Sequence, residues 1–105
     1  YANDDFGLEK GAKLFELMFG MPLRYTSKSI FASEEFEFMC GRGPGKCGRL
    51  GIRTPFVDRA MAYFKRMGFE FDEASVTYDD KTGRPKFAYF KDEICGFAVH
   101  IVEKK

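Results

Sequence analysis

The sequence predicts an α+β fold in which one unit, a helix followed by three short strands, is used twice. Residues 8–20 (LEKGAKLFELMFG) and 56–68 (FVDRAMAYFKRMG) both show helical periodicity and both stop at a glycine. Ala12 with Ala60, and Gly20 with Gly68, stand at one constant offset, so the two stretches are the same element repeated. Each is followed by short segments that alternate apolar and polar residues, as half-buried strands do. With a strand leading into each helix the order is βαβββ–βαβββ. The expected architecture is a curved mixed sheet with the helices on its outer, convex face.

Tyr1–Asn3 reads as the tail of the first strand, with Asp4 or Asp5 capping the helix after it. On that helix Leu8, Ala12, Phe15, Met18 and Phe19 share one side, and Glu9, Lys10, Lys13 and Glu16 lie mostly opposite. Met21-Pro22 turns the chain out into Leu23–Tyr25, Ser29–Ala32 and Glu35–Cys40, three strand candidates. Residues 41–48 (GRGPGKCG) hold four glycines and a proline and form a connector. Arg49–Thr54 is strand-like and leads into the second helix, where Thr54 can cap, Pro55 suits the first turn and Asp58 favours the positive end of the macrodipole. Its inward stripe is Val57, Ala60, Met61, Phe64 and Met67. Ala74–Tyr78, Lys86–Lys91 and Gly96–Val102 complete the second set of strands.

At 105 residues the chain has material for one domain: unit one over 1–40, the connector over 41–48 and unit two over 49–105. It begins at Tyr1 without Met, as a piece cut from a longer polypeptide would. Thirteen Phe and no Trp point to a phenylalanine-filled core. A net charge of +1 gives no field for nucleic acid or an acidic membrane. The apolar runs fall far short of the roughly 20 residues that span a bilayer, and no signal peptide is visible. Cys40, Cys47 and Cys95 are an odd set, expected as reduced thiols of a cytoplasmic protein, buried or incidental. Cys40-x6-Cys47 is not a zinc-ligand spacing. The GRGPGK loop lacks the Ser or Thr and the succeeding helix of a phosphate-binding loop.

Strand alternation selects candidate site residues. Phe36 and Phe38 oppose Glu35, Glu37 and Met39; Leu50 and Ile52 oppose Arg49, Gly51 and Arg53; Phe97, Val99 and Ile101 oppose Gly96, Ala98, His100 and Val102. If the apolar sets pack under the helices, the open faces carry Glu37, Arg49, Arg53 and His100, a candidate ligand-binding cup. Each has a structural reading beside the functional one. His100 can be a polar side chain hydrogen-bonded on the sheet face. Glu37 and Arg49 can form a cross-strand ion pair, or clamp a substrate. Arg53 can be a solvated residue.

The paired βαβββ order, the segment GRLGIRTPFVDRAMAYFKRMGFEF and the ending GFAVHIVEKK resemble the glyoxalase, bleomycin-resistance and extradiol-dioxygenase superfamily, the vicinal oxygen chelate fold. More narrowly they resemble the glyoxalase-like domain joined to the C-terminus of some bacterial 2-keto-4-hydroxyglutarate/KDPG aldolases. The resemblance implies a metal held by His or Glu from the first, fourth, fifth and eighth strands. Glu37 then stands at the fourth-strand position, Arg49 where the fifth-strand ligand belongs and His100 at the eighth. A guanidinium has no lone pair to give, so the resemblance implies a lost metal site and no cofactor, with Arg49 able to hold the carboxylate of a small acid. It further implies an accessory, non-catalytic module of a homodimer, binding a small oxo-acid or mediating assembly beside an aldolase (a lyase). Two alternatives stay open: a lyase, isomerase or dioxygenase using one divalent metal on Glu37 and His100, and a resistance-type protein that sequesters a drug.

Overall fold

The computed structural model of the protein describes residues 1–104. The chain divides into two compact units, Tyr1–Gly43 and a second from Pro44 onward. The α+β class is as expected: two helices and two sheets, each unit with a helix packed on a sheet of its own.

In the first unit, α1 spans Asp5–Phe19 and starts where Asp4 accepts a 2.7 Å hydrogen bond from the Gly7 N–H. It stops at Gly20, whose left-handed backbone (φ 67°) lets its N–H reach the Glu16 carbonyl at 2.9 Å. The strands β1 (Leu23–Tyr25), β2 (Ser29–Ala32) and β3 (Phe36–Met39) form an antiparallel meander in the order β1-β2-β3. Ala2 makes a parallel bridge to Cys40, the remnant of the expected first strand. Leu8, Ala12 and Ile30 are the buried centre, with Leu23 and Phe38 packed against it. Phe15 meets Phe19, Phe36 and Phe38 edge-on at centroid distances of 4.9–5.3 Å. The expected inward stripe is narrower than its periodicity suggests: Met18 and Phe19, placed inward by sequence, are mostly exposed.

The second unit repeats the plan. The strands β4 (Gly48–Thr54), β5 (Thr77–Tyr78), β6 (Pro85–Tyr89) and β7 (Phe97–Glu103) lie in the order β4-β7-β6-β5, with β4 parallel to β7 and the other pairs antiparallel. The strand before the helix therefore lies beside the last strand in both units. Between β4 and β5, α2 runs Val57–Arg66. It begins after Phe56 with no side-chain cap; Thr54 instead accepts from the Phe56 N–H at 3.2 Å, so the expected Thr54 cap holds the turn before the helix rather than the helix itself. Val57, Met61, Phe71, Ala88 and Ile101 form the buried core, and Phe64 and Phe90 pack on it. Burying side chains such as Val57 and Ile101 contributes about 1.5–3 kcal/mol each.

Two expectations for this unit are corrected. Residues 74–76 are not strand: Asp72 accepts from the Ala74 N–H and its carbonyl takes the Ser75 hydroxyl at 2.6 Å, winding Glu73–Ser75 into a single 3-10 turn, and the paired strand is only Thr77–Tyr78. Leu50 and Ile52, expected under the helix, are 49% and 55% exposed. The helix packs on β6 and β7, and β4 at the end of the sheet order is not covered, so Ile52 borders a shallow apolar groove with Phe56 and Tyr63. Among the described residues no helix is long and apolar enough to cross a membrane.

Candidate functional site

The site residues of the second unit stand together on the sheet face turned away from α2. Ile101 lies in the core, so alternation sends its neighbour His100 to the other face of β7. Buried Ala88 does the same for Phe87 and Tyr89 on β6. Ladder register then aligns Gly51, His100 and Tyr89 in one row across β4, β7 and β6. Arg49 and Arg53 flank Gly51 along β4; Arg49 is half-buried and Arg53 exposed.

The contacts are specific. The Phe87 ring stacks on the His100 imidazole with centroids 4.7 Å apart and planes at 25°, and the Tyr89 ring meets it edge-on at 5.1 Å. Arg49 Nη1 donates to the Tyr89 hydroxyl at 3.3 Å. That hydroxyl keeps its own proton to donate onward. His100 is half-buried, and its Nδ1 is buried with no hydrogen-bond partner among the described residues. Burial, then the nearby Arg49 guanidinium, lower the His100 pKa below its ordinary value, so the imidazole is neutral at neutral pH. Gly51 is required by this packing: a Cβ there would lie 2.6 Å from His100 Nε2 and 3.0 Å from Cε1.

Glu37 belongs to the first unit. It is exposed on β3, in register with Phe31, and its Oε2 accepts a 2.7 Å hydrogen bond from the hydroxyl of buried Ser29. Thr26 lies 3.0 Å from the same hydroxyl, and Arg24 lays its guanidinium over the Phe31 ring at 4.4 Å. Phe31 is thus in register with Glu37 on the meander's last strand, as Tyr89 is with His100 on the last strand of the second unit.

Sequence reasoning selected Arg49, Arg53 and His100 but missed Phe87, Tyr89 and the need for glycine at 51. On β4 the two faces separate Leu50 and Ile52 from Arg49 and Arg53, and on β7 His100 stands out among apolar neighbours. β6 and the residue after it carry aromatics on both faces, Phe87 and Tyr89 on one and Phe90 on the other, so alternation alone could not choose.

As a metal centre these residues fit poorly. Among the described residues no group of three or more His, Cys, Asp or Glu is placed to hold an ion. The cation beside His100 is a guanidinium, which repels a dication and donates nothing to it. Cys40, Cys47 and Cys95 are free thiols, and all three are exposed rather than buried.

No protein-family model, no curated protein and no solved structure matches the chain.

Proposed function

We propose that this protein is a glyoxalase-like accessory module that binds a small carboxylate, an oxo-acid by preference, on the open face of its second unit. The observation that carries the reading is the Arg49–Tyr89 pair set beside a neutral, ring-stacked His100. A guanidinium offers a carboxylate paired donors, the tyrosine hydroxyl adds a third, and a neutral imidazole can hydrogen-bond an adjacent keto oxygen without competing for the anion. The Phe87 ring supplies the apolar floor that small-molecule sites need. The chemistry of an attached aldolase would then lie elsewhere in a longer chain. A cytoplasmic setting belongs to the same reading and is supported by three exposed free thiols, which a reducing compartment preserves.

Calorimetric titration with pyruvate tests it. The expected result is saturable one-site binding, weakened about tenfold or more in Arg49→Gln and less in Tyr89→Phe, since a hydrogen bond to a charged group contributes about 1.5–3 kcal/mol and a neutral one less. Binding unchanged in Arg49→Gln, or stoichiometric retention of a divalent metal by the purified protein, would overturn it.

A further inference from the structure

We infer that the outer edge of β4 binds an extended acidic peptide as an added strand, with the peptide's apolar side chains seated in the groove between β4 and α2. β4 is the end strand of its sheet. The Thr54 carbonyl accepts from the Lys104 N–H at 2.8 Å, so Thr54 and, by alternation, Ile52 and Leu50 direct their backbone groups at β7. Gly51 and Arg53 therefore turn their N–H and C=O the other way. Among the described residues neither makes a backbone hydrogen bond on that side. An unpaired edge of this kind is a template for strand addition, in which main-chain bonds supply the pairing.

The side chains beside the edge suit the same occupant. Ile52, Phe56, Ala60 and Tyr63 line an apolar groove next to it, because α2 packs on β6 and β7 rather than on β4. Ile52, Phe56 and Tyr63 are 55%, 46% and 53% exposed, so covering them removes large apolar surfaces from water. A strand laid along β4 turns every second side chain toward this groove.

Charge complementarity selects the peptide. β4 carries arginine and no Asp or Glu. Among the described residues that line the groove, Arg59 is the one with a charge, and its guanidinium lies over the Phe56 ring at 4.4 Å. Arg53 is exposed on β4 and alternates to the face opposite Ile52. A strand of alternating apolar and acidic residues thus meets an apolar groove on one face and a cation on the other, and opposite charges across paired strands stabilise. A second copy of the chain fits less well. The antiparallel register that matches Leu50 with Ile52 across two copies also sets Arg49 opposite Arg53, and like charges directly opposite destabilise.

The test measures fluorescence anisotropy of labelled pentapeptides on the full chain in one buffer. The probes are Val-Glu-Val-Glu-Val blocked at both ends, its Val-Lys-Val-Lys-Val counterpart, and the glutamate peptide N-methylated at both glutamates. The glutamate peptide should show saturable one-site binding, at least about tenfold tighter than the lysine peptide. N-methylation, which removes the donors that would meet the Gly51 and Arg53 carbonyls, should weaken it about tenfold or more. Arg53→Glu combined with Arg59→Glu, two exposed positions, should reverse the preference, with the fold checked by circular dichroism. Lys10→Glu combined with Lys28→Glu, exposed in the first unit, makes the same change in net charge and should leave the preference in place. No binding of the glutamate peptide, equal affinity for the glutamate and lysine peptides, undiminished binding of the N-methylated one, or a reversal seen equally in the Lys10 and Lys28 variant overturns the inference. The N-methylated probe needs only the wild-type protein, so that arm stands even where the charge-reversed variant does not fold. Dimerisation in sedimentation equilibrium that Ile52→Asp abolishes would assign the edge to a second copy and overturn it as well.

Discussion

The Gly51→Ala substitution tests the packing of the site without any ligand. In an open strand the change should stabilise: glycine is worse than alanine in an element interior by about 0.5–1 kcal/mol. Here the added methyl would sit 2.6 Å from His100 Nε2. The imidazole cannot simply swing aside, because Phe87 stacks on one side of it and Tyr89 meets it edge-on. Overpacking of this kind costs about 1–3 kcal/mol, so the net expectation is a loss of up to about 2 kcal/mol. Removing the imidazole first should reverse the sign. In a His100→Ala background the clash is gone, and Gly51→Ala should stabilise by about 0.5–1 kcal/mol. The coupling energy from a double-mutant cycle should then fall between about 1 and 3 kcal/mol. Urea unfolding of the four proteins, with equal slopes against denaturant, measures it. Gly51→Ala stabilising equally in both backgrounds would show that the imidazole does not rest against β4.

Acidification should weaken the fold in a defined window. The His100 pKa is lowered in the folded state by burial and by Arg49, while an unfolded imidazole titrates near 6.5. Between those values the unfolded chain takes the proton first, so stability should fall as pH drops below about 6.5 and level off below the folded value. His100→Gln should flatten that segment of the stability profile, and an unchanged slope would remove His100 as its source. Ser29→Ala, at a buried hydroxyl that donates to exposed Glu37, should cost about 1 kcal/mol in urea unfolding, and no loss would mean that water replaces the bond without penalty. Ellman's reagent should titrate Cys40, Cys47 and Cys95 in the native protein without denaturant, and a thiol that reacts only after unfolding would contradict its exposure.

How much of this was legible in the sequence depended on which physical signal each element carries. Helix ends were readable because capping is local: Asp4 binds the Gly7 N–H, and Gly20 supplies the left-handed turn. The repeat was readable because the two helices share an offset, and the ladders agree with it, down to a parallel contact beside the last strand of each unit. Burial was less readable, since it depends on where a helix comes to rest. Leu50 and Ile52 alternate like core residues, yet α2 covers β6 and β7 and leaves them exposed. Residues 74–76 were misread as strand because Asp72 competes for the backbone, a local hydrogen bond that outweighs the weak strand tendency of so short a run. At the site, Arg49, Arg53 and His100 could be selected because each is a charged or titratable residue among apolar neighbours. Tyr89 and Phe87 could not, because an aromatic residue fills a core and floors a binding site equally well.

Chemical-shift mapping of the labelled protein during titration with pyruvate bears most directly on carboxylate binding at the Arg49–Tyr89–His100 face. The expected result is a saturable set of shifts centred on the Arg49 side chain, the Gly51 amide, Tyr89 and the His100 ring, with the imidazole neutral throughout. Shifts that fail to saturate, or that cluster on the α2 side around Ile52 and Tyr63, would contradict it.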